Sequence, residues 1–189
     1  MSWVALLLAG GKSSRMGEDK ALLPFGGYGS LAEYQYRRLE GFFDQVYIAT
    51  KEEKFDFNPR LIMDRYPQSS PLVALVSAFE LLSVEELFVV SVDAPFVDRV
   101  LIHRLYGEAQ EGDDVIVARS LHGREPLCGI YRSSILPVAK EHLLRGEHRL
   151  GHLLDAVACR EVFCEDSKKF WNLNYPEEYA KAYRLSSSI

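Results

Sequence analysis

The sequence has no long apolar run, little cysteine and no excess of positive charge. A membrane helix needs about 20 consecutive apolar residues, and no stretch of the chain approaches that length. Cys128, Cys159 and Cys164 form no C-x-x-C pair, which argues against a disulfide framework and a zinc site. The net charge of −5 argues against nonspecific nucleic-acid binding, which needs a basic surface. We therefore expect no membrane and no nucleic acid among the partners.

The amino terminus also lacks the basic and apolar segments of a secretory signal, because strand-like residues follow Met1 and Ser2 directly. We therefore expect a cytoplasmic protein whose cysteines are reduced and packed in the core. The chain has 189 residues, of which 48% are hydrophobic and 26% charged. This size and composition are typical of one globular domain, so residues 1–189 are assigned to a single domain.

Short β-rich runs alternate with helix-like segments along the chain, which is typical of an α/β sheet covered by helices. Strands are predicted at 3–8, 45–49, 60–63, 87–92, 115–118, 127–132 and 160–163, and helices at 31–42, 72–82, 98–107 and 134–145. Ser70 and Pro71 mark the start of the second of these helices, as its N-cap and first-turn proline. Residues 3–8 and 87–92 read as apolar strands, as central parallel strands do. The expected fold is a Rossmann-like, three-layer α/β fold with a mostly parallel central sheet.

The most informative segment follows the first predicted strand and reads Leu8-Ala9-Gly10-Gly11-Lys12-Ser13-Ser14-Arg15-Met16-Gly17-Glu18-Asp19-Lys20. Glycines let the backbone approach a polyphosphate closely, and exposed N–H groups bind anions. Arg15 can bind phosphate oxygens in a bidentate manner, and Lys20 can bind them as a point charge. Leu6 stands where a Walker loop needs its first glycine, and no G-x-G-x-x-G is present. The segment therefore predicts a nucleoside triphosphate site of another class.

Asp93 emerges at the end of the predicted strand 87–92, where Pro95 stops further pairing. In an open parallel sheet, ligands collect beyond the carboxyl ends of the strands, and the glycine-rich segment is expected at the same edge. Magnesium is held by one or two carboxylates together with phosphates and waters, so Asp93 predicts a Mg²⁺ site. Asp64 follows another short strand and could reach the nucleoside or the metal.

Together these segments resemble the nucleotidyltransferases of molybdenum cofactor maturation, in their guanylyltransferase branch, over nearly the whole chain. The resemblance is carried by Leu8-Ala9-Gly10-Gly11 with Arg15-Met16-Gly17 and Asp19-Lys20, by Asp93-Ala94-Pro95-Phe96, by Arg124-Glu125-Pro126, by Gly146-Glu147-His148-Arg149 and by Asn172-Leu173-Asn174-Tyr175-Pro176-Glu177-Glu178. Cytidylyl relatives usually have alanine-alanine-glycine where this chain has its paired glycines. The resemblance therefore favours GTP as the nucleotide.

The resemblance implies transfer of GMP from GTP to the terminal phosphate of molybdopterin, with release of pyrophosphate and formation of a guanine dinucleotide cofactor. The catalytic residues are then expected to be Arg15, Lys20 and Asp93, with Mg²⁺ on Asp93. GTP contacts are expected at Leu8, Ala9, Gly10, Gly11, Lys20, Asp64 and Asp93, and molybdopterin contacts at Arg124, Asn172 and Asn174. Molybdenum-insertion proteins and molybdoenzyme chaperones are the implied protein partners.

The chain departs from the family pattern at two places. Ser70-Pro71-Leu72-Val73-Ala74 stands where the family usually has glycine-proline-leucine-x-glycine, and Ala49 replaces a family asparagine. Because the glycine-rich opening is shared widely, three alternatives stay open. They are cytidylyl transfer to molybdopterin, nucleotidyl transfer to a sugar or isoprenoid phosphate, and a GTP-binding module without turnover. Lys20 and Asp93 argue against the last.

Overall fold

The computed structural model describes residues 3–10 and 18–186. The strands are β1 Val4–Leu8, β2 Gln45–Thr50, β3 Leu61–Met63, β4 Glu86–Ser91, β5 Val115–Ser120, β6 Gly123–Arg132 and β7 Cys159–Phe163. The helices are α1 Leu31–Glu40, α2 Pro71–Leu82, α3 Arg99–Glu108, α4 Leu136–Leu144, α5 Leu150–Ala156 and α6 Pro176–Ser186. Short 3₁₀ turns lie at Lys20–Leu22, Ser133–Ile135 and Ser167–Phe170.

The strands form one 7-stranded sheet in the order β3-β2-β1-β4-β6-β5-β7. Strands β1, β2, β3 and β4 are parallel, and β7 is parallel to β5. Only β6 runs the other way, antiparallel to both β4 and β5. The strand order reverses direction beside β1, so the carboxyl ends of β1 and β4 border the position where open α/β sheets bind ligands.

Side chains of the sheet alternate between two apolar cores, one on each face. Along β1, Ala5 and Leu7 pack with buried residues of α1, α3 and α6, whereas Leu6 and Leu8 pack with those of α2, α4 and α5. These four side chains of β1 are at most 6% exposed. Helices on both faces of a mostly parallel sheet confirm the three-layer α/β fold.

Where the element boundaries differ from expectation, polar residues or short length explain the difference. Helix α5 was not predicted, because it has only 7 residues and its N-cap residue, Arg149, forms no side-chain capping hydrogen bond. Strand β6 begins at Gly123 rather than at 127, since its polar first residues pair with β5 across a register irregularity between Val117 and Ala118. By contrast, α2 begins where the Ser70 cap and Pro71 predicted.

Two expectations about absent features can be checked on the described part of the chain. None of its helices has the length and apolar character that crossing a membrane requires. Cys128, Cys159 and Cys164 are all free thiols, and Cys128 and Cys164 are buried. Burial also raises the pKa of Cys159 to about 11. Cys128 and Cys164 are therefore packed in the protein as expected, whereas Cys159 is only partly buried.

Candidate functional site

Three polar side chains from distant parts of the chain meet at the carboxyl edge of the sheet. The ammonium group of Lys20 forms an ion pair with the Asp93 carboxylate and donates a hydrogen bond to Asn174 Oδ1 at 3.2 Å. The Lys20 and Asp93 side chains are only 17% and 14% exposed. We call Lys20, Asp93 and Asn174 the transfer cluster.

Each member of the transfer cluster is held by its own local structure. Ser91, the last residue of β4, donates its hydroxyl to Asp93 Oδ1 at 2.5 Å, and the Leu173 N–H donates to the Asp93 carbonyl at 2.9 Å. The Asp19 side chain caps the 3₁₀ turn that carries Lys20, by accepting from the Ala21 N–H at 3.0 Å. The cluster is therefore positioned before any ligand binds.

The loop that carries Asn174 is fixed by the first turn of α6. Glu178 Oε2 accepts from the Asn174 N–H at 2.8 Å and from the Tyr175 N–H at 3.0 Å. A carboxylate that satisfies backbone donors at a helix start stabilises that start. Glu178 thereby holds Asn174 against Lys20, a role that no sequence pattern had assigned to it.

A second cavity, of about 100 Å³, lies at the carboxyl ends of β1, β2 and β3. It is lined by Leu8, Gly10, Ala49, Asp64, Ser69, Ser70, Pro71 and Ala74. No atom of the described residues lies within 4 Å of the position that a Cβ on Gly10 would take. No described residue outside the adjoining chain therefore covers the backbone at Gly10, and we call this space the nucleotide cavity.

Among the described residues that line the nucleotide cavity, Asp64 has the one ionisable side chain. Its N–H donates to the Thr50 carbonyl at 3.3 Å, which places the residue just beyond β3. Burial raises the pKa of the Asp64 carboxyl above its ordinary value, and the charge of Lys51 opposes this shift. A partly desolvated carboxylate of this kind gains most when a ligand donates hydrogen bonds to it.

The residues that depart from the family pattern, Ala49, Ser70 and Ala74, line the nucleotide cavity. Ser70 Oγ accepts from the Val73 N–H at 3.2 Å as the cap of α2, and it lies 3.1 Å from His148 Nδ1. The Ala74 methyl forms part of the cavity wall and is 7% exposed. The side chains of Ser70 and Ala74 therefore replace the usual glycines without filling the space between them.

Lys54 is a further basic residue at this edge that the sequence pattern did not indicate. It forms an ion pair with Asp19, and its ammonium lies 3.5 Å from the Ala9 carbonyl oxygen. Lys54 sits in an irregular loop between β2 and β3, so no periodic pattern could have pointed to it. The Lys54 ammonium thereby links the carboxyl end of β1 to the turn that carries Lys20.

Arg124 lies at the same edge but makes other contacts. Its guanidinium donates to Asp155 Oδ1 at 2.6 Å and lies 3.9 Å from a Glu161 oxygen. The hydrogen bond with Asp155 raises the pKa of Arg124. The next residue, Glu125, instead lines a cavity of about 170 Å³ together with Ser91 and Asn172. The structure therefore brings Glu125, rather than Arg124, beside the transfer cluster.

The expected site residues thus fall into three groups. Lys20, Asp93 and Asn174 are in contact, and Asn172 lines the neighbouring cavity. Leu8, Gly10 and Asp64 line the nucleotide cavity, next to Ala9, whose N–H donates to the Ala49 carbonyl at 3.2 Å. Gly11 and Arg15 lie outside the described residues.

The transfer cluster itself contains one carboxylate, that of Asp93. Among residues 3–10 and 18–186, no group of His, Cys, Asp and Glu side chains is placed to hold a metal ion by itself. Asp93 is a lone carboxylate, and Ser91 and Lys20 engage its two oxygens. Such a donor set fits Mg²⁺ only as a shared site, because Mg²⁺ accepts one carboxylate when substrate phosphates and waters supply its other ligands.

Comparisons with known sequences point to one family. The profile of the MobA-like NTP transferase domain matches residues 5–162. A molybdenum cofactor guanylyltransferase of Campylobacter jejuni subsp. jejuni is 35% identical over 178 residues, which cover 93% of each chain. A molybdenum cofactor guanylyltransferase of Helicobacter pylori is 32% identical, over 95% of this chain and 91% of the relative.

Solved structures share the fold. The molybdopterin-guanine dinucleotide biosynthesis protein A of Archaeoglobus fulgidus superimposes with a TM-score of 0.84 at 20% identity, covering 98% of this chain and all of its own. The 2-C-methyl-D-erythritol 4-phosphate cytidylyltransferase of Thermus thermophilus gives a TM-score of 0.70 at 17% identity, with 97% and 98% of the two chains covered. The profile match and the Campylobacter and Helicobacter relatives, over a sheet of this topology, show that the chain belongs to the MobA-like NTP transferase family.

Proposed function

We propose that this protein is a molybdenum cofactor guanylyltransferase. It transfers GMP from GTP to the terminal phosphate of molybdopterin, releases pyrophosphate and forms the molybdopterin guanine dinucleotide. The observation that carries this proposal is the transfer cluster, which stands at the carboxyl edge of β4 in a chain 35% identical to a relative of that name. The whole chain, residues 1–189, is proposed to act as one nucleotidyltransferase domain.

The nucleotide is proposed to occupy the nucleotide cavity, with its phosphates directed toward Lys20. Leu8 and Gly10, at and just beyond the end of β1, line this cavity together with Asp64, and Ala9 lies between the first two in the chain. Guanine offers two adjacent donors, N1–H and the exocyclic N2–H₂, whereas cytosine offers a single exocyclic amino group. A lone carboxylate such as Asp64 pairs better with the two donors of guanine. This chemistry supports GTP over CTP.

A metal ion is part of the proposal. Nucleotidyltransferases of this family generally use a divalent metal, and we propose Mg²⁺ with Asp93 as its protein ligand. When bound together with the nucleotide, Mg²⁺ would neutralise part of the negative charge of the phosphates. In the free protein the Lys20 ammonium already forms an ion pair with the Asp93 carboxylate. When the nucleotide and the metal bind, Lys20 and the metal would therefore have to share that carboxylate.

The residues of the chain need only align the reactants and balance charge. An oxygen of the molybdopterin phosphate forms a bond with the α-phosphorus of GTP, and the bond from that phosphorus to the bridging β-phosphate oxygen breaks. A phosphate monoester has a second pKa of about 6 and is largely dianionic at neutral pH, so no strong general base is required. Lys20, and Arg15 in the glycine-rich segment, are proposed to stabilise the charge that develops on the transferred group and on pyrophosphate.

The acceptor is proposed to approach from the side of Asn172 and Asn174. Asn174 touches Lys20, and Asn172 lines the cavity that it shares with Ser91 and Glu125. Arg124 stays a proposed acceptor contact, although its present partners are Asp155 and Glu161. The reaction is proposed to take place in the cytoplasm, with molybdenum-insertion proteins and molybdoenzyme chaperones as protein partners.

The test is a nucleotide-selectivity assay with the purified protein, Mg²⁺ and molybdopterin. Pyrophosphate release and the dinucleotide product are measured with GTP and with CTP, and again with a sugar phosphate as the acceptor. The proposal expects product with GTP and molybdopterin only. Product with CTP or with a sugar phosphate would assign a sibling activity, and GTP binding without product would assign a binding module.

A matched pair of variants tests the metal role of Asp93. Asp93→Asn removes the carboxylate charge and should lower GMP transfer by more than a hundredfold, because the metal then loses its protein ligand. Asp56→Asn changes an exposed aspartate in the loop between β2 and β3 and should leave transfer unchanged. An Asp93→Asn protein with near-normal transfer would refute the assignment.

A further inference from the structure

A groove of about 850 Å³ runs along α6 beside the transfer cluster. Phe96 and Trp171 form part of its wall, Lys181 and Leu185 of α6 line its length, and Asn172 and Asn174 line the end next to Asp93. We call it the α6 groove. Its size lies within the range of sites that bury small organic ligands.

Phe96 and Trp171 give the groove a flat aromatic wall. Their ring centroids are 6.1 Å apart, and their planes differ by 22°. The Lys181 ammonium lies 4.6 Å from the centroid of the Trp171 ring, which shows that one face of the indole is reached from α6. A cation over an exposed ring is held weakly compared with a heterocycle stacked on it, so a planar ligand can displace this ammonium.

Among the described residues, three carboxylates and three ammonium groups line the α6 groove, and they differ in their partners. Its carboxylates accept hydrogen bonds from backbone N–H groups, Asp98 from Leu101, Asp166 from Lys168, and Glu178 from Asn174 and Tyr175. Lys169 is paired with Asp98. Lys168 and Lys181 form no ion pair within the part of the chain that the structure describes. Two ammonium groups in the lining are therefore available to an anion.

The α6 groove opens onto the transfer cluster. Asn174 lines the groove and accepts a hydrogen bond from Lys20, while the Leu173 N–H donates to the Asp93 carbonyl. Asn172 lines both the groove and the smaller cavity that contains Ser91. A ligand that lies along α6 would consequently direct one end at the residues proposed to bind the α-phosphate.

We propose that the α6 groove binds the fused, planar ring system of the acceptor, with one face of the Trp171 indole as its stacking surface. Lys181 moves from the ring to an anionic substituent of the ligand, and the phosphate end of the acceptor reaches Asn174 and Asp93. The assignment of the ligand as a pterin rests on the proposed function. That the ligand is planar and anionic is inferred from the lining of the α6 groove alone, without the proposed function.

Binding can be measured without turnover, because the chain has two tryptophans, Trp3 and Trp171. Trp3 stacks on Tyr106 at a centroid distance of 4.2 Å and does not line the groove. In a Trp3→Phe protein, pterin-6-carboxylate should quench the Trp171 emission with saturation, and inorganic phosphate should not. In the matched Trp171→Phe protein, the remaining Trp3 emission should show only the linear loss caused by absorption of light by the pterin.

Steady-state kinetics with molybdopterin test the groove in the working enzyme. Trp171→Ala should raise the KM for molybdopterin about tenfold and leave the KM for GTP unchanged, whereas Trp171→Phe should retain most of the affinity. Lys181→Met should give a smaller rise in the KM for molybdopterin. The difference in KM between this variant and the unchanged protein should shrink at high salt, because salt screens the contact of the Lys181 ammonium with the anionic ligand. Phe163→Ala removes an aromatic ring that is 47% exposed and outside the groove, and it should change neither constant.

The outcomes separate the two proposals. If the unchanged protein makes dinucleotide but Trp171→Ala has a normal KM for molybdopterin, the groove assignment is wrong and the proposed function stands. If the unchanged protein makes no dinucleotide, the proposed function is wrong, and saturable quenching of Trp171 by pterin-6-carboxylate still decides the groove. A rise in both KM values with a lowered unfolding temperature would show that Trp171 is structural, which also overturns the proposal.

Discussion

The ammonium of Lys20 is paired with the carboxylate of Asp93, although 73 positions of sequence separate the two residues. The pair joins the turn that follows the glycine-rich segment to the end of β4, on which the metal ligand is proposed. The ion pair therefore places the ammonium proposed to bind phosphate beside the carboxylate proposed to bind the metal.

Replacing Lys20 tests whether its charge acts on GTP. Lys20→Gln should lower kcat/KM for GTP about ten- to hundredfold, since a hydrogen bond to a charged group contributes about 1.5–3 kcal/mol. Initial rates at varied GTP provide the measurement. Lys140→Gln removes a lysine paired with Glu80 on the surface and should leave the rates as they are. Equal rates for both variants would show that Lys20 does not bind phosphate.

Asp64→Asn should make the protein more stable and less selective at the same time. Because burial raises the pKa of Asp64 in the folded state, its ionised form is unfavourable there, and stability is lost as pH rises from the ordinary value of 3.8 through the raised pKa. The melting temperature of Asp64→Asn should therefore exceed that of the unchanged protein at pH 7, with the gap closing toward low pH.

Asp64→Asn should also weaken the selectivity of the protein for GTP over CTP. An amide can accept from only one donor of guanine and presents its own donor to the other, so the preference for GTP over CTP should decrease. The ratio of kcat/KM values for the two nucleotides measures the effect. A stabilised variant that keeps its full preference for GTP would remove Asp64 from base recognition.

Ser70→Ala tests the cap that stands where the family usually has glycine. The change removes the acceptor for the Val73 N–H and the contact with His148, and it should lower the free energy of unfolding by about 1 kcal/mol. Ser69→Ala alters an exposed neighbour that also lines the nucleotide cavity, and it should change stability by less than about 0.5 kcal/mol. Urea unfolding of both variants makes the comparison.

Gly129 of β6 tests the packing at the centre of the sheet. A Cβ on this residue would lie 2.5 Å from the Ile116 carbonyl oxygen and 2.8 Å from a Val117 methyl, so Gly129→Ala should lower the free energy of unfolding by about 1–3 kcal/mol. Gly151 of α5 has no such neighbour within 4 Å, and Gly151→Ala should stabilise the helix by about 0.5–1 kcal/mol. A neutral Gly129→Ala variant would mean that β5 and β6 can separate slightly.

The sequence predicted those parts of the fold that are specified locally. Apolar runs predicted β1 and β4 to within about one residue, and the Ser70 cap with Pro71 located the start of α2. The polar start of β6 was not predicted, because its pairing with β5 stabilises it and its own sequence has no strand periodicity. The short α5 was not predicted either, because its packing on the sheet stabilises it more than its own helical periodicity does.

The same division applies to the site. The positions of Leu8, Gly10, Asp64 and Asp93 at this edge could be predicted, since the carboxyl edge of a parallel sheet collects the residues that follow its strands. Lys54, Glu125 and Glu178 could not, because each acts through a partner far away in sequence or through backbone N–H groups of a loop. Arg124 was assigned by resemblance alone, and its side chain turns to Asp155.

The reversed direction of β6 divides the site into two separately variable parts. Residues from β1 to the first turns of α2 line the nucleotide cavity, whereas the first residues of β6 and the chain from residue 166 line most of the spaces on the other side of Asp93. Asp93 lies at the boundary between these two stretches of sequence. Substitutions that adapt the protein to another acceptor can therefore accumulate in the second stretch while the nucleotide-binding part is inherited unchanged.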